Sequence, residues 1–238
     1  MSQSSPIFLL LGFGDNVGQQ TAARFHSGGY RVAVVSRSVE AQNFPAYLTI
    51  KADLSFLGSV ASVFSEVREK LGEPSVVLYN AVFFKPPGAE NILDISASDL
   101  QTSATINYIS PVLAAQEAIK SFSRLEDDAS STKAFLYTGN CLNERIIPRL
   151  WNLGVMKTAT FQVLQVLAEE YANKGYRFHY VDERTDMGAP MYVGLNGDAH
   201  ATIFWDIVSS EKPYSTTVTF SKARGIVKFE SVYLANKG

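Results

Sequence analysis

Short, continuously apolar runs alternate along this chain with longer stretches whose apolar positions recur at helical spacing. The runs are Ile7–Leu11 (I-F-L-L-L), Arg31–Ser36 (R-V-A-V-V-S), Tyr47–Ala52, Ser75–Tyr79 (S-V-V-L-Y), Lys133–Thr138 (K-A-F-L-Y-T), Tyr176–Val181 and Thr216–Phe220. Strands covered on both faces read this way. Between them, Leu57, Val60, Val63, Phe64, Val67 and Leu71 form a helical stripe closed by Gly72. Val155, Ala159, Val163, Val166 and Leu167 form another, from about Asn152 to Tyr171, ended by Gly175. A first helix around Gln19–Phe25 stops at Gly28-Gly29, and a last one covers about Ala199–Ser209. The region Ala97–Phe122 is helical but carries Asn107 and, one turn later, Pro111, which predicts a kink or local break. This alternation predicts an α/β fold: a doubly wound parallel sheet of about seven strands, with ligands off the carboxyl ends of the strands.

The connections fit that frame. Lys85, Pro86, Pro87 and Gly88 mark a loop, and Glu126-Asp127-Asp128 reads as a surface turn. Asp182 to Asp198 is irregular, with Gly188, Pro190, Gly194 and Gly197, and stands where a lid over substrate belongs.

Composition narrows the class. With 238 residues, 46% of them hydrophobic, residues 1–238 suit one domain with a full core. A net charge of −2 without a dense basic run argues against a nucleic-acid partner. The single cysteine, Cys141, excludes an internal disulfide and suits a reducing compartment. Met1 to Pro6 lacks the basic region of a secretory signal, and no run is long enough to span a membrane. The expected location is the cytoplasm.

The first strand breaks at glycines and feeds the first helix: I-F-L-L-L-G-F-G-D-N-V-G. Strand, tight turn and helix N-terminus is the geometry that holds a pyrophosphate, because backbone N–H groups and the helix dipole face the anion. Gly12, Gly14 and Gly18 do not make G-x-G-x-x-G, since Val17 fills its last position. They fit the outer positions of G-x-x-x-G-x-G, with Asn16 in place of the middle glycine, a residue that tolerates left-handed backbone angles. The second strand ends at Ser36-Arg37, with Glu40 the nearest acid beyond. An arginine there favours a 2′-phosphate, so the expected cofactor is NADPH/NADP+ rather than NADH.

These residues resemble the short-chain dehydrogenase/reductase family over nearly the whole chain. The resemblance is carried by Gly12-x-x-x-Asn16-x-Gly18, Arg37, Asp53-Leu54 after the third strand, Asn80-Ala81 after the fourth, Asn107 and Lys157. It implies that Asp53 contacts adenine and that Asn80 borders the cofactor. It also implies that Asn107 helps hold a proton-relay water and Lys157, and that Lys157 bonds the nicotinamide ribose. Val17, Leu54, Ala81 and Thr185 complete the expected cofactor set. The resemblance further implies a homodimer or homotetramer through the two long helices.

The departures bear on chemistry. The family pairs a serine after the fifth strand with a tyrosine four residues before the lysine, and the tyrosine protonates the carbonyl oxygen as hydride arrives. Here Lys157 is preceded by Leu153, in L-G-V-M-K, and the serine position falls on Thr138 or Gly139. The usual proline-glycine pair after the sixth strand is replaced by Val181-Asp182-Glu183-Arg184.

Three readings follow. The chain is a silent relative that keeps the fold for binding or scaffolding; or Tyr137, Tyr180, Cys141 or Arg145 replaces the tyrosine; or the acceptor needs no acid. Hydride addition to an iminium neutralises a cation, and such a site wants a carboxylate in an apolar setting. Asp182 stands in place to supply it, unless it serves as a turn or pairs with Arg184. The pattern is also similar to the atypical fungal reductases of indole-alkaloid pathways, of the malbrancheamide and paraherquamide type. Those reduce an iminium with NADPH and then guide a Diels–Alder cyclisation. By that similarity Arg145 contacts an amide carbonyl and Asp182 pairs with the cation. The favoured expectation is an atypical NADPH-dependent iminium reductase acting on a cationic small molecule, with Asp182, Lys157, Asn107 and Arg145 at its centre.

Overall fold

The computed structural model describes residues 5–125, 132–191 and 193–229. The expected surface turn at Glu126-Asp127-Asp128 lies outside the described residues, as do residues 1–4. The strands are β1 (Ile7–Leu11), β2 (Arg31–Ser36), β3 (Leu48–Lys51), β4 (Val76–Tyr79), β5 (Ala134–Thr138), β6 (Arg177–Glu183), β7 (Thr217–Ser221) and β8 (Gly225–Ile226). The helices are α1 (Val17–Ser27), α2 (Ser59–Lys70), α3 (Ala97–Ala104), α4 (Ser110–Arg124), α5 (Trp151–Glu170) and α6 (Gly197–Ser209).

One sheet runs in the order β3-β2-β1-β4-β5-β6-β7-β8. The first seven strands are parallel, as the apolar runs predict. The expected count of seven is corrected to eight by β8, a two-residue antiparallel strand against Phe220 and Ser221. It is too short for any periodicity to announce it.

Strand alternation builds two cores. Ile7, Leu9 and Leu11 face one layer, where α2 contributes Val60, Val63, Phe64 and Val67 and α4 contributes Ala114, Ala118 and Phe122. Phe8 and Leu10 face the other, against Phe25 of α1 and Phe204 and Ile207 of α6. Every residue of β1 and β4 is buried, so the sheet centre is dry on both faces.

The expected break in the long helical region is real. Between α3 and α4 the chain makes one π turn, Thr105–Ile109, and Pro111 lies in the first turn of α4. Proline has no N–H for the carbonyl one turn back, which here belongs to Asn107.

One boundary is corrected. The sixth strand does not stop at Val181 but runs through Asp182 and Glu183, which pair with Thr219 and Phe220 of β7. Two adjacent acids read as loop from sequence; both are buried because each finds a partner inside the protein.

Candidate active site

Strand order reverses between β1 and β4, and the carboxyl ends of β1, β2 and β4 bound a cleft of about 380 Å³. Gly12, Gly14, Ser36 and Arg37 line one side; Asp53, Leu54, Asn80 and Ala81 line the other. Phe13, Phe83 and Ile106 also line it, and no sequence signal had marked them.

Gly12 makes the turn possible. It has φ +97, and a Cβ on it would lie 2.3 Å from the backbone nitrogen of Ala81. Its carbonyl accepts a hydrogen bond from Asn80 Nδ2 at 2.9 Å, while its N–H and that of Phe13 both donate to the carbonyl of Val35. Gly14 is exposed, and a Cβ there would meet no protein atom within 4 Å. Helix α1 starts just beyond with no side-chain cap and no acid in its first turn. The Gln19 N–H donates to the Gly14 carbonyl, and no side chain caps the N–H groups of Val17 and Gly18 ahead of it, the kind of terminus that takes an anion.

Arg37 is exposed at the mouth. Asp53 is held below the usual carboxylate range by the Ser55 N–H, which donates at 2.9 Å, and to a lesser degree by the charge of Arg37. Glu40, the nearest acid in sequence, accepts instead from Lys51.

The rest of the expected cofactor set is not at the cleft wall. Val17 and Gly18 are buried at the start of α1. Asn16 has φ −102, so the left-handed tolerance expected of it is not used. Its side chain turns away from the cleft and donates to the carbonyl of Leu195 at 2.7 Å. The hydroxyl oxygen of Thr185 accepts from the Ala189 N–H within a turn that also joins Arg184 to Pro190.

A chain of hydrogen bonds crosses the strand ends toward α5. Thr138 Oγ1 donates to Asn80 Oδ1 at 2.7 Å, and Lys157 Nζ donates to the Thr138 carbonyl at 2.7 Å. The ammonium also lies 4.3 Å from the centre of the Tyr137 ring. Lys157 is 3% exposed, and burial pushes its pKa down to about 7 against the opposing pull of Asp182. One turn earlier Leu153 is buried at 7% exposure, so an apolar side chain occupies the place of the expected acid.

The candidate replacements for that acid are otherwise engaged. The Tyr137 hydroxyl donates to the Asn107 carbonyl at 3.1 Å, and the Tyr180 hydroxyl donates to the Asn140 carbonyl at 2.8 Å. Burial raises both phenols, and it raises the Cys141 thiol as well. Tyr137 and Tyr180 are buried and engaged and Cys141 is buried, so none of the three presents an acidic proton to the cleft. Arg145 donates to the carbonyl of Gly188 at 3.2 Å.

Asn107 does not meet Lys157. Its carboxamide is spent on Phe83, accepting from the N–H at 3.1 Å and donating to the carbonyl at 2.7 Å, with a further bond to Ser103.

Asp182 is 1% exposed, and its Oδ2 accepts from Arg184 Nε, so the salt-bridge alternative is the one the structure adopts. Burial still pushes its pKa up to about 7, against the lowering effect of Arg184. Its Oδ1 has no hydrogen-bond partner among the described residues. Arg184 also lies 3.5 Å from Glu144 and donates to the carbonyl of Gly188. Beside it, Glu183 accepts from the Asn196 N–H at 2.9 Å.

A doubly wound sheet with a glycine turn at its reversal point and a buried lysine at the end of β5 defines a nucleotide-binding oxidoreductase fold. The enoyl-(acyl carrier protein) reductase family model matches residues 12–194. The chain is 34% identical to the short chain dehydrogenase/reductase dmxR12 of Cryptosporiopsis sp. (strain 8999), over 95% of this chain and 96% of that one. It belongs to the short-chain dehydrogenase/reductase family.

Solved structures agree on the fold. A 3-ketoacyl-(acyl-carrier-protein) reductase from Brucella melitensis, complexed with NADH, superposes with TM-score 0.75 at 20% identity, covering 94% of this chain and 99% of that one. A metagenomic short-chain oxidoreductase in complex with NADP gives 0.76 at 16% identity, covering 93% and 99%.

Proposed function

We propose that this chain is an NADPH-dependent reductase that passes hydride to an iminium ion or a similarly activated C=N group. The observation that carries the reading is the buried Leu153 beside the retained Lys157. The lysine beside the nicotinamide position is kept, and the tyrosine donor is not.

The residues of the cleft fit the cofactor. Gly14 leaves open the space that a side chain would fill, α1 offers uncapped N–H groups to the pyrophosphate, and Asn80 braces the turn. Arg37 is the group for a 2′-phosphate, and Glu40 is drawn away by Lys51. The reduced nicotinamide supplies the hydride. The new C–H bond forms at the C=N carbon, the π pair becomes a nitrogen lone pair, and the substrate cation is neutralised without a proton. Asp182 balances positive charge near the reacting carbon, shared between Arg184 and the substrate, and Arg145 borders the acceptor.

In this reading the whole chain acts as one NADP-binding domain, and the segment after β6 covers the acceptor. A subsequent cyclisation asks only for a shaped apolar wall. Exposed Val155 and Val166 on α5 support assembly as a dimer or tetramer, and the working place is the cytoplasm.

The Asp182–Arg184 ion pair favours a second reading, a pseudoenzyme that binds the cofactor as a scaffold. Titration with NADPH and with NADH, then NADPH consumption with a cyclic iminium and with a ketone of the same shape, separates the readings. The reductase binds NADPH more tightly, consumes it with the iminium alone, and shows no slowing in heavy water. Binding without consumption leaves the pseudoenzyme, and ketone reduction overturns the acid-free centre.

A further inference from the structure

Behind Lys157 three elements meet on one carbonyl. The π turn and Pro111 release the Asn107 carbonyl from the helical ladder. A carbonyl oxygen has two lone pairs. Here one accepts from the Tyr137 hydroxyl of β5 at 3.1 Å, and the other from the Thr160 hydroxyl of α5 at 2.7 Å. The Asn107 carboxamide is already bonded to Phe83 and Ser103. Asn107, Tyr137 and Ser103 are fully buried, and Thr160 is 1% exposed.

A buried water needs two to four polar partners. With the Tyr137 and Thr160 hydroxyls on its two lone pairs, the Asn107 carbonyl has none left for a water. The same tyrosine offers its ring face to the ammonium at 4.3 Å, an attraction that fixes the cation without solvating it.

We propose that Tyr137 and Thr160 form a dry seal behind Lys157 that denies the acceptor site a proton supply, and so restrict it to acceptors that bring their own positive charge. The proposal rests on the reductase reading and adds the residues that enforce its selectivity. The raised pKa of the Tyr137 phenol agrees with it, since that hydroxyl holds its proton rather than passing it on.

The test restores an acid and then opens the seal. In Leu153→Tyr, ketone reduction places hydride on the carbonyl carbon, and the C=O π pair takes the proton of the introduced phenol. The phenolate must then regain a proton from water before the next cycle. With the seal intact that step has no path, so Leu153→Tyr yields at most about one alcohol per chain. Adding Tyr137→Phe and Thr160→Val frees the Asn107 carbonyl for water, and the triple variant turns over steadily, with at least tenfold more alcohol per chain.

A readout free of cofactor accompanies it. A crystal structure of Tyr137→Phe/Thr160→Val shows a water on the Asn107 carbonyl, and that of the unaltered protein shows none. The isosteric Thr160→Val alone admits the same water should the double variant fold poorly. Equal alcohol yield from the single and triple variants, whether high or nil, overturns the seal, as does a water already bound there in the unaltered protein. Failure of the reductase reading looks different: the unaltered protein consumes no NADPH with any iminium.

Discussion

The two halves of the strand-end surface are built on opposite principles. In the cofactor half, at β1, β2 and β4, Gly14 leaves open the space a side chain would fill and Arg37 is exposed. In the acceptor half, at β5 and β6, the expected residues are buried and face one another. Lys157 is bonded to Thr138, Asp182 to Arg184, and Tyr137 to Asn107. One half is preorganised to receive a polyanion. The other bonds Lys157, Thr138 and Asp182 Oδ2 within the protein, as polar groups kept out of water require, while Asp182 Oδ1 stays without a partner among the described residues.

The largest blow to this contrast is Asp182→Ala. It leaves the Arg184 guanidinium buried with no partner on β6, a loss of about 3–5 kcal/mol of folding stability. Chemical denaturation measures it, and Asp182→Asn, which keeps shape and an acceptor oxygen, should lose less. NADPH affinity, read where the fold persists, should stay unchanged, because Asp182 is outside the cofactor cleft. A stability loss below about 1 kcal/mol would be the behaviour of a solvated surface pair and would erase the distinction between the halves.

The same contrast explains what the sequence discloses. The parallel sheet is legible because β1 and β4 are apolar on both faces. The cleft-lining residues Gly12, Ser36, Arg37, Asp53 and Asn80 are legible because each lies at or just past a strand end. The acceptor half depends on contacts made only on folding, as when Tyr137 and Thr160 converge on a carbonyl 30 and 53 residues earlier. A partial signal existed in Pro111, four residues after Asn107, since a proline frees a carbonyl that something must satisfy. The acids at 182 and 183 misled as loop residues because polarity in sequence does not say whether a buried partner awaits.

Acid should act on the acceptor half next. His179 on β6 and His200 on α6 are both pushed down to about 4 by burial. Below the ordinary histidine range near 6.5 the unfolded chain takes up protons that the folded chain refuses until about 4. Stability therefore falls as pH drops through that window, by up to about 3 kcal/mol per histidine. Asp182 works the other way: its carboxyl is raised from 3.8 to about 7, so its contribution is present at low pH and is lost as pH rises through that range. Melting temperature followed from neutral pH down to about 4 should fall, and His200→Gln should flatten the decline. An unchanged slope would mean that His200 is hydrated.

The cofactor half should answer to charge instead. Arg37→Ala removes an exposed cation from the cleft mouth, so folding stability should change by no more than about 0.5 kcal/mol. NADPH affinity should fall about tenfold, or about 1.4 kcal/mol, with NADH affinity unmoved. Fluorescence titration with both nucleotides decides it. Equal losses for the two would take Arg37 away from the 2′-phosphate.

The gentlest change sharpens the comparison most. Gly14 has no positive φ, and a methyl group placed on it meets no protein atom within 4 Å. Gly14→Ala should therefore leave folding stability within about 0.5 kcal/mol, or raise it slightly by stiffening the unfolded chain. The methyl would project where the pyrophosphate must approach the backbone, so NADPH affinity should drop while the melting temperature of the free protein holds. Gly12 sets the control. The same substitution there drives a Cβ into the Ala81 backbone, and it should cost stability and affinity together. If Gly14→Ala left affinity untouched, the turn would be a strand–helix connection and nothing more, and the open half of the site would lose its ligand.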